Sequence, residues 1–300
     1  MVKFGVALGM FGVHNYYGGD ARGYVEAARL ADAAGVDQVV FTDHVVMGER
    51  TDRYPYGTFP VPPSEPWFEP LTLLSAIAAV TARIELATGI LIAPLRPAAL
   101  LAKMLATLDT LAPGRLQIGI GIGWQREEFE AEGLDFDQAW TLLDDGVRAM
   151  KLLWREAPAS FHSQTVNFER VYSTPFPQAR SIPLWYGVKP TERQARRIAE
   201  LGAGWVPISS AADYVRDGVQ RIREAFVAAG RDPATLQVRA HAPIHYGADH
   251  RGDFERSVAD IPALLDAGAT VIEFEHHPYI RDKAELPEFY ARLAALKTRL

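Results

Sequence analysis

The chain has 300 residues, a formal net charge of −6 and 48% apolar residues, enough for a sizeable core. It contains no cysteine, which excludes disulfides, thiolate metal sites and cysteine nucleophiles. The acidic balance offers nucleic acid no basic surface, and no apolar run approaches the ~20 residues of a membrane span. Lys3 is followed only by a short apolar strand and no secretory signal, so a cytoplasmic protein is expected.

Lys3 to Gly9 reads as a buried strand, followed by a glycine-bearing loop with His14, Tyr16 and Tyr17. Arg22 to Ala34 reads as a helix stopped by Gly35, and Asp37 to Thr42 as a second strand that ends in Asp43 and His44. Residues 45–70 carry six prolines and five aromatic residues without periodicity, which suggests a functional loop covering a pocket. Leu71 to Thr81 is a helix with Leu71, Leu74, Ile77 and Ala78 inward, and Ile84 to Ile90 is the third strand. Pro97 to Leu111 is a helix opened by its proline.

The fourth strand, Arg115 to Ile120, runs into the most distinctive stretch, GRLQIGIGIGWQREEFEAEGLDF at 114–136. Glycine lets another backbone or a flat ligand approach closely, so this turn is either tight packing or a ligand cradle. It is no dinucleotide fingerprint: the third glycine of Gly-x-Gly-x-x-Gly would fall on Trp124 or Arg126. Asp137 to Arg155 is a long amphipathic helix. Residues 158–183 break the rhythm, and the β-like run Thr165 to Val171 suggests an inserted hairpin.

Strands then follow at Ile182 to Gly187, Ala203 to Ile208, Leu236 to Tyr246 and Thr270 to Glu275. Helices alternate with them: Thr191 to Leu201, with a capping box from Thr191 and Gln194, Ala211 to Ala229, Phe254 to Ala267 and Pro287 to Leu300. Eight strand–helix units predict an α/β (β/α)8 TIM barrel over residues 1–300, with insertion segments after strands 2 and 4. The alternative, a doubly wound sheet, would have its glycine fingerprint in the first unit.

Barrel enzymes place their chemistry at the C-terminal ends of the strands. Those ends hold Met10 and His14; Asp43 and His44; Thr88, Gly89 and Ile90; Gly121, Gly123 and Trp124; Gly187 and Lys189; Ser209 and Ser210; His241 and His245; and Glu275, His276 and His277. His44 can give or take a proton near neutral pH, and the adjacent acid Asp43 is expected to orient it. Against that stands a purely structural loop cap. A catalytic metal is not expected, since His241 and His245 lie roughly 13 Å apart along a strand. Lys189, Thr191 and the amides of the helix behind them form either an anion site or an ordinary cap.

Taken together, FTDH at 41–44, EPLTLLSAIAAVTARIELATGI at 69–90, RPAALLAKMLATLDTLAPGRLQIGIGIGW at 96–124 and EEFEAEGLDF after it give the chain a marked family likeness. With weaker matches in IPLWYG at 182–187 and GAGW at 202–205, it resembles the luciferase-like flavin and deazaflavin oxidoreductases. The resemblance implies a non-proline cis peptide at Gly89–Ile90, after Thr88, behind the isoalloxazine ring. It implies Asp43 and His44 near the reactive face, as in the branch using coenzyme F420. Gly121 to Gly123, with Trp124 beside them, would let the cofactor tail pass, and Gly187, Val188, Lys189 and Thr191 would hold its phosphate. The chain departs from relatives at Val188, where many have glycine, at Ala139, where arginine is usual, and at Trp124, where some dehydrogenases carry glutamate.

The expectation is therefore an F420-dependent oxidoreductase acting on a small organic molecule. The alternative is an FMNH2-dependent monooxygenase supplied by a flavin reductase. A cofactor-free barrel or ligand-binding protein with a degenerate flavin site is the reading of a different class. Relatives of this kind suggest a homodimer.

Overall fold

The structure is a computed structural model that describes residues 2–9, 17 and 19–300. Met10, His14 and Tyr16, three residues of the predicted first loop, lie outside the described residues. Eight parallel strands close into a barrel: β1 (Lys3–Gly9), β2 (Gln38–Phe41), β3 (Glu85–Ile92), β4 (Leu116–Gly121), β7 (Leu184–Gly187), β8 (Gly204–Val206), β9 (Gln237–His241) and β10 (Val271–Glu275). β10 pairs back onto β1 with Lys3 opposite Val271, which removes both sheet edges. The predicted (β/α)8 barrel is thus the fold. Between β4 and β7 the chain leaves the barrel for an antiparallel pair, β5 (Ala159–His162) and β6 (Asn167–Val171), which among the described residues no ladder joins to it.

The helices follow the predicted order, with physical reasons where they differ. α1 (Ala21–Ala34) is capped by the Asp20 side chain and ends at Gly35, whose φ of 88° is the left-handed region that favours glycine. α2 (Pro70–Val80) and α3 (Ala98–Leu111) pack beside it in turn. After β4 comes a six-residue helix, α4 (Arg126–Ala131), and then α5 (Ala139–Leu153). α6 (Glu192–Leu201) opens on Thr191, whose side chain accepts from Gln194 N; Gln194 turns its own oxygen to Arg197 instead, so only half of the capping box forms. α7 (Ala212–Ala228) follows β8. The helix expected over 254–267 is two, α8 (Phe254–Ala259) and α9 (Ile261–Asp266). Pro262 lacks the N–H that a continuous helix would use, and its ring clashes with the preceding turn. β9 stops at His241, before Pro243, rather than running to Tyr246. α10 (Leu286–Arg299) closes the barrel against α1. Among the described residues no helix is long and apolar enough to cross a membrane.

The barrel interior is not wholly apolar. Arg239, fully buried, donates to Gln38 Oε1 (3.0 Å) and to the Thr88 carbonyl (2.6 Å), and its Nε lies 3.0 Å from Glu273 Oε2. Gln38 passes the network to Glu85 (3.1 Å). Burial lowers the Arg239 pKa from its ordinary value, opposed by the Glu273 and Glu85 charges. This polar layer sits directly beneath an irregularity in the barrel wall: the β3–β4 register shifts between Thr88 and Leu91, and the Gly89–Ile90 peptide there is cis.

Candidate active site

At the C-terminal mouth of the barrel lies a cavity of about 490 Å³. Its floor is Gly89 and Ile90, with Ile92, Ile122 and Gly123 beside it. Ile90 reaches the floor because its neighbours have no side chains. A Cβ on Gly121 would collide with Ile90 Cδ1, and one on Gly187 would come 2.6 Å from Ile90 Cγ2. The glycines of the fourth-strand motif thus make room for the third strand.

One wall holds the acid–base chemistry. His44 Nδ1 lies 3.1 Å from Glu128 Oε2, and the other oxygen of Glu128 accepts the Val45 amide at 3.0 Å. Glu128 is fully buried. A carboxylate only accepts, so the proton sits on Nδ1 and leaves Nε2 for a ligand. Around the imidazole stand Trp67 (edge-on, 4.7 Å between centroids), Phe59 and Trp124.

The expectation that Asp43 orients His44 is corrected here. Asp43 is gripped by Arg96 through two hydrogen bonds of 2.8 and 3.0 Å, and its Oδ2 also accepts the Ile92 amide at 2.8 Å. Arg96 extends the pair to Glu69 at 2.8 Å. Burial pulls the Arg96 pKa down, but the two carboxylates more than reverse it and leave it raised. Burial would raise Glu69, yet bonds from Thr72 and Arg96 leave it below the usual carboxylate range. β2 ends at Phe41, so both residues lie in the loop beyond it, where Asp43 turns to Arg96 and His44 to Glu128.

The far end of the cavity is different. Gly187, Val188, Lys189, Thr191 and Gln194 line it, with Trp140 and the β8 end, and no carboxylate among the described residues faces it there. The first turn of α6 leaves amides without helical acceptors at this end. Val188 also packs in the main core, and its carbonyl accepts Trp205 Nε1 at 2.8 Å. Ala139 is buried beside Ile92, Leu95 and Phe129 and does not line the cavity.

Of the predicted residues, Asp43, His44, Gly89, Ile90, Gly123, Trp124, Gly187, Val188, Lys189 and Thr191 line one cavity. Thr88 and Gly121 do not. Thr88 is fully buried below the floor, its hydroxyl donating to the Gly119 carbonyl at 2.7 Å, and the space over Gly121 belongs to Ile90. Among the other strand-end residues, His241 lines the cavity with Nδ1 3.4 Å from Glu273, whereas His245 turns away to Asp260 at 2.6 Å. Burial, with Glu273 near, holds the Glu275 carboxyl above its usual range despite the opposing charge of His241. His276 is wholly buried between the Tyr17 hydroxyl and the Ala7 carbonyl, and burial pushes its pKa down to about 3.

Sequence reasoning missed Glu128, Gln125 and Arg96. Gln125 is 1% exposed and clamps Gly48 in both directions, accepting from its amide (2.8 Å) and donating to its carbonyl (3.1 Å). The only signal was position: all three follow the ends of strands three and four.

A family model described as luciferase-like monooxygenase matches residues 2–292. An uncharacterised protein of Mycobacterium tuberculosis is 30% identical over 210 residues, 69% of this chain and 74% of that protein. The coenzyme F420-dependent tetrahydromethanopterin reductase of Methanopyrus kandleri superimposes with a TM-score of 0.73 at 17% identity, covering 97% of each chain. The oxygenating constituent of 3,6-diketocamphane monooxygenase from Pseudomonas putida, solved with FMN, superimposes with a TM-score of 0.72 at 15% identity over 98% of this chain and 96% of that one. At these identities the two superpositions establish the shared fold.

Proposed function

The chain belongs to the luciferase-like monooxygenase family, and from that premise we propose that it is an oxidoreductase using coenzyme F420 for hydride transfer to or from a small organic substrate. The observation that carries this reading is the His44–Glu128 pair at the edge of a cavity whose floor is the Gly89–Ile90 bulge. The residues fit a flavin-type group. Gly89, Ile90 and Ile122 offer a flat apolar support for a ring, and Lys189, Thr191 and the α6 amides offer donors for a phosphate.

The cofactor, when bound, supplies a ring carbon that takes or gives a hydride. The protein does the rest. In the oxidising direction His44 Nε2 takes the substrate hydroxyl proton as the C–H bond breaks with its electron pair and C=O forms. In the reducing direction it returns that proton. Glu128 holds the imidazole in the productive tautomer and stabilises its positive charge. The 45–69 segment excludes water from the pocket.

One observation favours a second reading, an FMNH2-dependent monooxygenase fed by a flavin reductase. Lys189 is the sole lysine or arginine lining the cavity among the described residues, which suits a tail with a single phosphate. Titration of the purified protein with coenzyme F420 and with FMN, each oxidised and reduced, decides between the two. Micromolar binding of F420 alone, with His44→Ala abolishing turnover but keeping binding, is the expected result. Preference for reduced FMN moves the function to the monooxygenase. Binding of neither sinks both and returns the cofactor-free reading.

A further inference from the structure

The cavity has two chemically different ends. Around Lys189 and Thr191 it offers donors; around His44 it offers rings. Tyr54, Tyr56 and Trp67 come from the segment after β2, Trp124 from the turn after β4, and all four line the cavity with His44. They form a continuous box: Tyr54 meets Trp124 at 5.3 Å and Tyr56 at 5.4 Å between centroids, both edge-on. Phe59, 7% exposed, backs it at 5.2 Å from Tyr54 and 5.3 Å from Trp124.

The charges near this end are committed elsewhere. Asp43 is neutralised by Arg96, and Glu128 faces His44 and the Val45 amide. Arg50 and Arg53 do not line the cavity; they pair with Asp52 and Glu127. The segment that carries the box is pinned at Gly48. Gln125 clamps Gly48 on both backbone atoms, and the Glu127 side chain packs where a Cβ on Gly48 would stand, 2.8 Å away.

We propose that this aromatic box is the substrate subsite and that it takes a neutral organic molecule: an apolar ring or branched carbon body bearing one hydroxyl or carbonyl group that meets His44 Nε2. The proposal rests on the hydride-transfer reading above and names its substrate class. An anion would lose its water here and gain no cation. Ring-on-ring contact supplies the attraction instead, and the one polar group finds one partner.

Three probes of one shape separate the alternatives: acetophenone, benzoate and phenyltrimethylammonium. Their affinities are measured by calorimetry on the protein alone and on the protein loaded with cofactor. Acetophenone is expected to bind at least about 10-fold tighter than benzoate, and also tighter than phenyltrimethylammonium, whose charge the rings attract but for which the one lining carboxylate among the described residues, Asp43, is already paired with Arg96. Tyr54→Ala and Trp67→Ala are each expected to weaken it about 3- to 10-fold, with Tyr54→Phe, which keeps the ring, retaining parental affinity. Either charged probe binding as tightly as acetophenone, acetophenone failing to bind at millimolar concentration, or both alanine variants matching the parent would overturn the proposal. The cofactor titration is separate. If F420 and FMN both fail to bind while the probe series behaves as expected on the protein alone, the hydride-transfer reading falls and the box stands as a neutral-ligand site.

Discussion

Replacing Glu128 by glutamine tests the acid–base assignment with little disturbance to the fold. The amide oxygen of Glu128→Gln can still accept the Val45 amide, now at 3.0 Å, so the start of the 45–69 segment stays anchored. What is lost is the charged acceptor 3.1 Å from His44 Nδ1. A hydrogen bond to a charged group contributes about 1.5–3 kcal/mol, and each 1.36 kcal/mol is tenfold in rate. The rate of hydride transfer in a single turnover, followed by cofactor absorbance, should therefore fall roughly 10- to 150-fold, with cofactor affinity retained. Because Glu128 acts through His44, the double variant with His44→Ala should be no slower than His44→Ala alone. Nitrogen NMR of labelled histidine should show the Nδ1–H tautomer weakened in Glu128→Gln. A Glu128→Gln enzyme within threefold of the parent, or a double variant whose loss is the product of the single losses, refutes the assignment.

Two further outcomes follow from the buried charges. Arg96→Ala strips Asp43, 3% exposed in the parent, of its cation, and one-sided loss of a buried pair costs on the order of 3–5 kcal/mol; chemical denaturation should show that loss, and a change under 1 kcal/mol would mean that water replaces the guanidinium. His276 is neutral when folded, with a pKa pushed down to about 3 by burial, whereas the unfolded imidazole titrates near its ordinary 6.5. Its folded pKa is the lower one, so stability is fullest above about pH 6.5 and declines by up to about 1.4 kcal/mol per unit as pH falls from there toward 3. Urea unfolding between pH 7 and pH 5 should show this slope, and His276→Gln should flatten it; an unchanged slope in the variant would assign acid sensitivity to other groups.

The barrel was legible because period-two strands and 3.6-residue helices alternate with glycine and proline stops at nearly every junction. Misses fall where a local signal was absent. β5 (Ala159–His162) alternates weakly, and three of its residues are not buried, so its pattern does not stand out. The break at Asp260 needed Pro262 to be weighed against an otherwise helical run. The site shows the same limit more sharply. His44 was legible from its place at a strand end, but its partner lies 84 residues away, in an EEFE run that reads as a solvated helix face. Glu128 is buried because α4 lays Phe129 into the Ile92–Leu95 cluster and brings the preceding residue against the β2 loop, a tertiary fact with no periodic trace in six residues.

The two readings of the glycine motif, tight packing and ligand cradle, turn out to be one device. Gly119 lacks the Cβ that would strike the Thr88 carbonyl, and Gly121 and Gly187 lack the ones that would strike Ile90. That space lets the third strand bulge, and the bulge carries Ile90 to the cavity floor. The floor is then held at both flanks by charge. Beneath it, Arg239 donates to the Thr88 carbonyl at 2.6 Å; in front, Asp43 accepts the Ile92 amide at 2.8 Å and is itself fixed by Arg96. Main-chain donors and acceptors on either side of the irregular residues are thus satisfied by buried ions and not by the barrel ladder, whose register is broken there. Asp43 accordingly belongs to the floor and Glu128 to the proton, although the sequence sets Asp43 beside His44.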